Sequence, residues 1–263
     1  MMKHILCLSI TLLLLFSASG CAPQEKDTVS DFFLWTDGYI AIADGTSYPF
    51  SLSYYYQSQD PPLDPEEIAQ VYIPGVEPAK ITVSGWNFNE LQTDPSSGYQ
   101  AWGMTFDLTF SQEKLWEICD IGFSLTDGTT LEYPVGTLVF DVGPAADPPS
   151  IDEVDIWSST AATVSSNTYP YKYPLGENNK LLKLTYWADV SIEDSNGLQE
   201  SGALPLTFSE APLKVVQPRL EVQIGTERQI VYGNICWCGS LTLSVDDLAA
   251  CQAYTASRRS GAQ

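Results

Sequence analysis

The chain has 263 residues, and its 33 acidic against 12 basic side chains give a formal net charge of −21 at pH 7. A surface this negative repels phosphate backbones and anionic headgroups, so composition excludes nucleic-acid binding and charge-driven binding to anionic membranes. Hydrophobic residues make up 44% of the chain, which excludes a disordered polypeptide, and the length suggests two domains of about 100–150 residues each.

The N-terminal segment has the features of an export signal. Lys3 and His4 precede an apolar run over residues 5–16, and small residues lead to Cys21 in the sequence Ala18-Ser19-Gly20-Cys21. This arrangement resembles a bacterial lipoprotein signal peptide with its lipobox. The resemblance implies that residues 1–20 are removed, that Cys21 is lipidated at the head of a tether over residues 21–30, and that the protein is anchored outside the cytoplasm to the cell membrane or outer membrane. The alternative is an ordinary secretory signal with a chance cysteine.

His4 is the only histidine, and it lies within the predicted signal peptide. Its removal leaves no imidazole, which excludes Ser-His-Asp and Cys-His nucleophiles, histidine-ligated zinc and imidazole acid–base chemistry. Paired carboxylates are the catalytic groups that remain, but no spacing singles out a pair of the kind that a glycosidase uses. We therefore expect a protein without catalytic residues, and the enzymatic alternative is a carboxylate-dependent glycosidase or lyase.

Apolar and polar residues alternate through both halves of the chain, for example over residues 102–110 and 182–192. This period of two predicts strands with one buried and one solvated face. About seven such strands in each stretch of about 110 residues predict an all-β protein of two tandem antiparallel β-sandwich domains. In architecture these domains resemble immunoglobulin-like domains.

Short matches in the same order predict that the two domains arose by internal duplication, because self-similarity at a period of about 110 residues indicates repeated domains. The matched segments are residues 33–36 with 155–158, 47–50 with 168–171, 72–75 and Trp86 with 173–176 and Trp187, 108–111 with 206–209, and Tyr133 with Tyr232. The first copy also carries an insertion over residues 57–71. Within it, Asp64 and Pro65 predict a capped helical turn.

These segments predict the domain organisation. Residues 31–143 form the first sandwich, the Pro-rich stretch 144–150 is a linker, and residues 151–254 form the second sandwich. Ser244 followed by two aspartates predicts a short helix at the end of the second sandwich. Residues 255–263 lack an apolar pattern and are expected to be a disordered tail.

Four cysteines follow the predicted lipidation site, and an even number in an exported protein indicates disulfide bonding. In residues 235–245 the apolar side chains share one parity, while Cys236 and Cys238 share the other, so both thiols are expected on the less buried face. A bond from Cys238, or alternatively from Cys236, to Cys251 would fix the C-terminal helix to the strand. Cys119 is expected to be a free, buried thiol.

No cofactor is expected, but acidic residues near the domain junction could bind calcium, because this cation prefers oxygen ligands. The weak calcium candidates are Asp147, Asp152, Glu153 and Asp155. The alternative is a merely acidic linker.

Aromatic residues are the candidates for contacts with a partner, since flat rings suit sugar and peptide ligands. Tryptophans matched between the copies, such as Trp86 and Trp187, are expected in the cores. The binding candidates are the residues on a polar-parity face or without a match in the other copy: Tyr55, Trp102, Trp116 and Trp237.

Two functional hypotheses follow from the sequence. The first is a non-enzymatic, lipid-anchored cell-envelope protein that binds a protein or glycan partner through its two domains. The second is a structural or accessory envelope lipoprotein that acts as a spacer without a soluble ligand. An exposed aromatic patch would favour the first hypothesis, and two smooth acidic domains would favour the second.

Overall fold

The computed structural model describes residues 30–57, 61–144, 162–164, 166–173, 175, 177, 179–239 and 243–261. Within them the chain is all-β apart from one α-helix and two 3₁₀ turns, as the alternation predicts. None of the helices in this part of the chain is long and apolar enough to span a membrane. The predicted signal peptide, Cys21 and most of the predicted linker over residues 144–150 lie outside the described residues.

The first half forms a two-sheet sandwich. Its strands are β1 (Asp31–Phe33), β2 (Thr36–Ala43), β3 (Ser47–Tyr56), β4 (Ile68–Tyr72), β5 (Ile81–Leu91), β6 (Gln100–Phe110), β7 (Lys114–Leu125) and β8 (Thr130–Gly143). One sheet has the order β1-β3-β6-β5, and β4-β7-β8-β2 face it. With β1 and β2 taken as two parts of one first strand, this is the strand order of an immunoglobulin-like sandwich, which confirms the predicted fold class.

The second half contributes nine further strands to the described structure. They are β9 (Ala162–Val164), β10 (Thr168–Lys172), β11 (Lys180–Trp187), β12 (Val190–Glu193), β13 (Ser201–Pro205), β14 (Leu213–Gln217), β15 (Arg219–Ile224), β16 (Glu227–Tyr232) and β17 (Cys236–Gly239). Strands β10 and β13 form a pair, and β12-β11-β15-β16 form a four-stranded sheet. The remaining three strands continue a sheet of the first half.

A single seven-stranded sheet, called the joining sheet below, connects the two halves in the order β4-β7-β8-β2-β14-β17-β9. Its central contact is the parallel pair β2 and β14, which runs from Thr36 opposite Leu213 to Ile40 opposite Gln217. The two halves therefore share backbone hydrogen bonds, whereas the sequence predicts two domains in tandem along a linker.

The centre of the joining sheet is buried on both faces. Successive residues of a strand point to opposite sides. Ile40 and Val215 pack into the core of the first sandwich, while Val216 and Cys238 pack into the core of the second. The two sandwiches thus lie on opposite faces of this sheet, and β2 and β14 are buried along almost their whole length.

Strand pairing repeats between the halves in part. In the first half β2 pairs in parallel with β8, which pairs antiparallel with β7. In the second half β9 pairs in parallel with β17, which pairs antiparallel with β14. Likewise β3 pairs with β6 as β10 pairs with β13. These pairings agree with the match of residues 47–50 with 168–171. The match of residues 108–111 with 206–209 is out of register by two, because Leu108 is opposite Tyr48 whereas Leu204 is opposite Tyr169.

Two of the predicted matches are wrong, because the strands concerned have different neighbours. Tyr72 ends β4, which pairs with β7, whereas Tyr173 follows β10, which pairs with β13. Trp86 lies on β5 beside β6, whereas Trp187 ends β11 between β12 and β15. The segment 155–158 lies outside the described residues.

The C-terminal helix α1 (Val245–Gly261) is longer than predicted and corrects the expected disordered tail over residues 255–263. Its start is as predicted, since the Ser244 hydroxyl accepts from the Asp247 backbone N–H at 3.1 Å. The helix continues because its second half contacts the first sandwich: the Tyr254 ring stacks on Trp35 with centroids 4.6 Å apart, and Arg258 pairs with Asp120 at 3.4 Å.

The insertion in the first half contains the predicted capped turn. Pro65–Glu67 form a 3₁₀ turn, and the Asp64 carboxylate accepts from the Glu66 backbone N–H at 2.9 Å. The turn leads directly into β4, which supplies the outer strand of the joining sheet.

Candidate functional site

The structure does not bring the four aromatic binding candidates together. Trp116 is buried, and its indole N–H donates to the Gln112 carbonyl at 3.2 Å, so its predicted surface role is wrong. Tyr55 is half-buried and stacks on Phe32 with centroids 5.8 Å apart. Trp237, also half-buried, packs between the first core and the cluster beneath α1.

Trp102 belongs to a partly exposed group of aromatic residues along one side of the first sandwich. Trp86 and Phe88 on β5 and Trp102 on β6 are half-buried and pack against the first core. The Tyr56 ring lies 4.8 Å from Trp102, and Glu90 is opposite Trp102 across the β5–β6 pair. We call Trp86, Phe88 and Trp102 the β5 strip. The sequence assigns Trp86 to the core and Trp102 to the surface, but the two are similarly placed.

Across the described residues, large exposed hydrophobic side chains are limited to Leu115, Val190 and Val245. These residues lie on three separate elements, β7, β12 and α1, and none is aromatic. The exposed aromatic patch expected of a binding protein is therefore absent from the described surface.

Polar side chains concentrate where the two halves meet. The Asp37 carboxylate on β2 accepts from the Trp35 indole N–H at 3.0 Å and from the Thr137 backbone N–H at 2.7 Å. It also accepts from the Ser209 hydroxyl of the second half at 2.6 Å. Because Asp37 is buried, all these donors offset the cost of removing its charge from water.

A second polar contact crosses the junction further along the same face of β2, since Tyr39 is two positions from Asp37. The Tyr39 hydroxyl and the Arg219 guanidinium both donate to the Asp141 carboxylate, the latter at 3.3 Å. Burial, followed by the hydrogen bond to Asp141, raises the pKa of Tyr39 above its ordinary value. The Asp141 carboxylate and the Tyr39 hydroxyl of the first half and the Arg219 guanidinium of the second half thus form one hydrogen-bond network.

Lys214 on β14 is a buried residue that sequence reasoning missed. Its side chain is 2% exposed, and its ammonium donates to the Ala211 carbonyl at 2.6 Å and to the Asn167 amide oxygen at 3.2 Å. Burial lowers the pKa of Lys214, while the nearby charge of Asp37 opposes that shift. The only signal in the sequence is a lysine within the apolar run of residues 213–216.

The predicted positions of the cysteines are corrected. Cys236 and Cys238 are 3% and 0% exposed and lie in the second core, because β17 is covered on both faces. Cys251 lies on the buried side of α1 and packs in the cluster that Trp237 contacts. Trp237 and Cys238 point to opposite faces of β17, so the joining sheet separates Cys251 from Cys238. The predicted bond to Cys251 is not formed, and all four described cysteines are free thiols.

Thiol pKa values follow the surroundings of each cysteine. Burial raises the pKa of Cys251 to about 11. Burial, aided by Glu117, raises that of Cys119 to about 11 as well. Cys119 is free as predicted but only half-buried. A hydrogen bond between Cys236 and Cys238 lowers the pKa of Cys236, and the same bond together with burial raises that of Cys238.

The described residues offer no metal cluster. No group of three or more histidine, cysteine or acidic side chains is close enough to hold a metal ion there. A small void of about 10 Å³ lies inside the first core and is lined by apolar side chains such as Phe50 and Leu138. The four weak calcium candidates between Asp147 and Asp155 lie outside the described residues.

No protein-family model matches this chain, and no curated protein matches it. Among solved structures, the cadherin-like domains 1 to 4 of zebrafish RET are 10% identical over 80% of this chain and 50% of that one, with a TM-score of 0.26. The Bacteroides ovatus mixed-linkage glucan utilization locus protein SGBP-B is 10% identical over 77% and 43%, with a TM-score of 0.22.

The sialic acid binding region of a Streptococcus sanguinis adhesin is 8% identical over 81% of this chain and 78% of that one, with a TM-score of 0.24. The chain spans about half the length of the first two structures. At these TM-scores the overlaps are partial, and the immunoglobulin-like character of the chain rests on its own strand pairing.

Proposed function

We propose that the chain is a non-enzymatic, lipid-anchored module of a bacterial cell envelope that acts as a rigid structural spacer. The observation that carries this proposal is the joining sheet. A sheet that runs through both sandwiches fixes their relative orientation, whereas domains joined by a linker alone move relative to one another.

Side-chain contacts support this rigidity. The carboxylates of Asp37 and Asp141 bind donors from both halves, and helix α1 of the second half packs on the first sandwich. The acidic surface and the small number of exposed apolar side chains fit a module that keeps its neighbours apart. The lipid at Cys21 would hold the N-terminal end of this module at the membrane.

Two experiments test the two parts of the proposal. Replacement of Cys21 by serine should move the protein from the membrane fraction to the exported aqueous fraction; a variant that still pellets with membranes would contradict lipid anchoring. Residual dipolar couplings from strands β3 and β15 should fit one alignment tensor. Two different tensors would show that the halves move independently and would overturn the spacer.

The β5 strip favours a second candidate function, the binding of a glycan or an extended peptide. Its three half-buried rings lie on adjacent strands, with Glu90 opposite Trp102, and flat aromatic rings suit sugar stacking. A glycan array probed with the chain, and with Trp102→Ala beside the control Trp116→Phe, tests this function. Signals lost only with Trp102→Ala would support it, and an array without signals would reject glycan binding.

A further inference from the structure

Two thiols lie side by side in the second core. Cys236 and Cys238 are two positions apart on β17, so both side chains point to the same face. Their sulfur atoms are 3.5 Å apart and hydrogen-bonded to each other. No third cysteine belongs to the cluster of buried residues that contains them both.

We propose that Cys236 and Cys238 form a reversible disulfide within strand β17. Two residues along a strand span roughly 6.6 Å between their Cα atoms, which lies inside the range of about 4.4–6.8 Å that disulfides span. Since this spacing is at the upper end of that range, the bond would be strained and readily reduced.

The chemistry is a thiol–disulfide exchange with a small disulfide such as oxidised glutathione. The Cys236 thiolate attacks one glutathione sulfur, a mixed disulfide forms, and the first glutathione leaves as a thiolate. The Cys238 thiolate then attacks the Cys236 sulfur and displaces the second glutathione. Two protein thiols lose two protons and two electrons, and one glutathione disulfide becomes two thiols.

The surroundings favour this order of steps. The pKa of Cys236 lies below its ordinary value because Cys238 hydrogen-bonds to it, which favours Cys236 as the attacking thiolate. Lys214 is opposite Cys238 across the β14–β17 pair, and its charge favours the Cys238 thiolate. Because both sulfur atoms are buried, exchange requires that β17 is open, either during folding or in a partly unfolded state.

The bond would act on the junction between the halves. Cys236 is opposite Val216 and Cys238 is opposite Lys214 on β14, the strand that pairs with β2. Closing the bond draws the two Cα atoms of β17 together and disturbs this register. Oxidation should therefore increase amide hydrogen exchange in β14, whereas reduction should restore it.

Strand β8 of the first half corresponds to β17 of the second half and has apolar residues where β17 has its cysteines. Leu138 and Phe140 on β8 pair with Gly38 and Ile40 on β2, as Cys236 and Cys238 pair with β9. Both are buried in the first core. The first half fills the corresponding strand positions with two apolar side chains, so packing alone does not require cysteines there. We take the thiol pair as support for a redox role.

Peptide mapping of the full chain tests the proposal. Trypsin releases residues 229–258 as one peptide, which contains Cys236, Cys238 and Cys251. The chain with Cys251→Ala is refolded in a mixture of reduced and oxidised glutathione, denatured, alkylated and digested. We expect most of this peptide to lack two hydrogen atoms and to carry no alkyl group, and dithiothreitol to reverse the change.

The matched control adds Cys238→Ala, which should leave Cys236 alkylated or bound to glutathione. In the unsubstituted chain, chymotrypsin cuts after Trp237, so the fragments that contain Cys236 and Cys238 stay together only if the bond is present. This measurement does not depend on the folding of any variant. Recovery of both cysteines as alkylated residues, or as glutathione adducts without ring closure, would overturn the proposal.

Discussion

Gly38 on β2 lies directly opposite Val215 on β14, and its missing side chain is what allows the two strands to pair. A Cβ atom at Gly38 would lie 2.2 Å from the Val215 Cγ1 atom and 2.8 Å from the Val215 carbonyl oxygen. Both distances are far below van der Waals contact. The union of the two halves therefore depends on a glycine at this one position of β2.

Gly38→Ala should consequently destabilise the protein by about 1–3 kcal/mol, the usual range for overpacking a tight contact. Urea unfolding monitored by tryptophan fluorescence measures the loss. Val215→Ala should relieve part of the clash, so the double variant is expected to lose less stability than the two single variants together. Strict additivity would show that the contact is not the cause.

Removal of the Asp141 carboxylate should weaken the junction on its other face. Asp141→Ala leaves the Tyr39 hydroxyl and the Arg219 guanidinium without their shared acceptor, at an expected cost of about 1–3 kcal/mol. Tyr39→Phe removes only one donor and should cost less. A double-mutant cycle between these two positions gives the coupling, and a coupling near zero would contradict the network.

The strands of this fold can be predicted from sequence, but their partners across the halves cannot. Alternation over residues 102–110 correctly predicts β6, and Asp64 with Pro65 correctly predicts a capped turn. The parity argument fails for Cys236 and Cys238 because it assumes that one face of β17 is solvated. A strand that is buried on both faces does not alternate between buried and solvated side chains. Only the pairing of β2 with β14, which builds the joining sheet between the two cores, shows that both faces of β17 are buried.

The candidate sites were less predictable than the fold for a related reason. Asp37 and Lys214 are polar residues inside largely apolar segments, and sequence alone does not show that donors from distant segments converge on them. Conversely, Trp116 has no match in the second half, and this lack wrongly predicts a surface position. Burial of a single ring depends on neighbours that are far away in the chain.

Tyr48 and Tyr54 provide a matched pair of substitutions in β3. The Tyr48 hydroxyl is buried without a hydrogen-bond partner among the described residues, whereas the Tyr54 hydroxyl donates to Asp31 at 3.1 Å. Tyr48→Phe should therefore stabilise the protein by about 1–2 kcal/mol, because an unpaired polar group leaves the core. Tyr54→Phe should destabilise it. Equal changes of the same sign in urea unfolding would reject this account.

Alkaline pH should unfold the protein through its buried tyrosines. Burial raises the pKa of Tyr173 to about 12 and raises that of Tyr48 further, while an unfolded tyrosine ionises near pH 10. A raised folded pKa gives stability that is present below pH 10 and is lost as pH rises through the folded value. Each such residue should cost about 1.4 kcal/mol per pH unit above 10. Lys214, whose pKa is lowered by burial, has the opposite effect at lower pH: stability rises as pH increases from its folded pKa to the unfolded value of about 10.4 and no longer changes above it.

Absorbance at 295 nm measures this titration while circular dichroism follows the fold. The buried tyrosines are expected to ionise together with unfolding, and Tyr48→Phe should reduce the slope of stability against pH by one proton. Smooth ionisation of every tyrosine in a folded protein would contradict the buried environment of these rings.

Helix α1 should contribute to the stability of the first sandwich through its buried face. Leu248 is 5% exposed and belongs to the cluster with Phe32 and Tyr99, whereas Val245 is 70% exposed. Leu248→Ala should cost about 2–5 kcal/mol, and the control Val245→Ala should change stability by less than about 0.5 kcal/mol. Similar small effects from both, measured by urea unfolding, would show that the helix is not docked.

The joining sheet also constrains the order in which a newly made chain can fold. Asp37 on β2 and its partner Ser209 are 172 positions apart, so the first half is synthesised long before β14 becomes available to pair with β2. Until then one edge of β2 has unpaired backbone groups, which invite association with other chains. Pairing of segments this distant is also slow. The nascent protein therefore passes through an interval in which it is prone to aggregate, and a chaperone that covers this edge would shorten it.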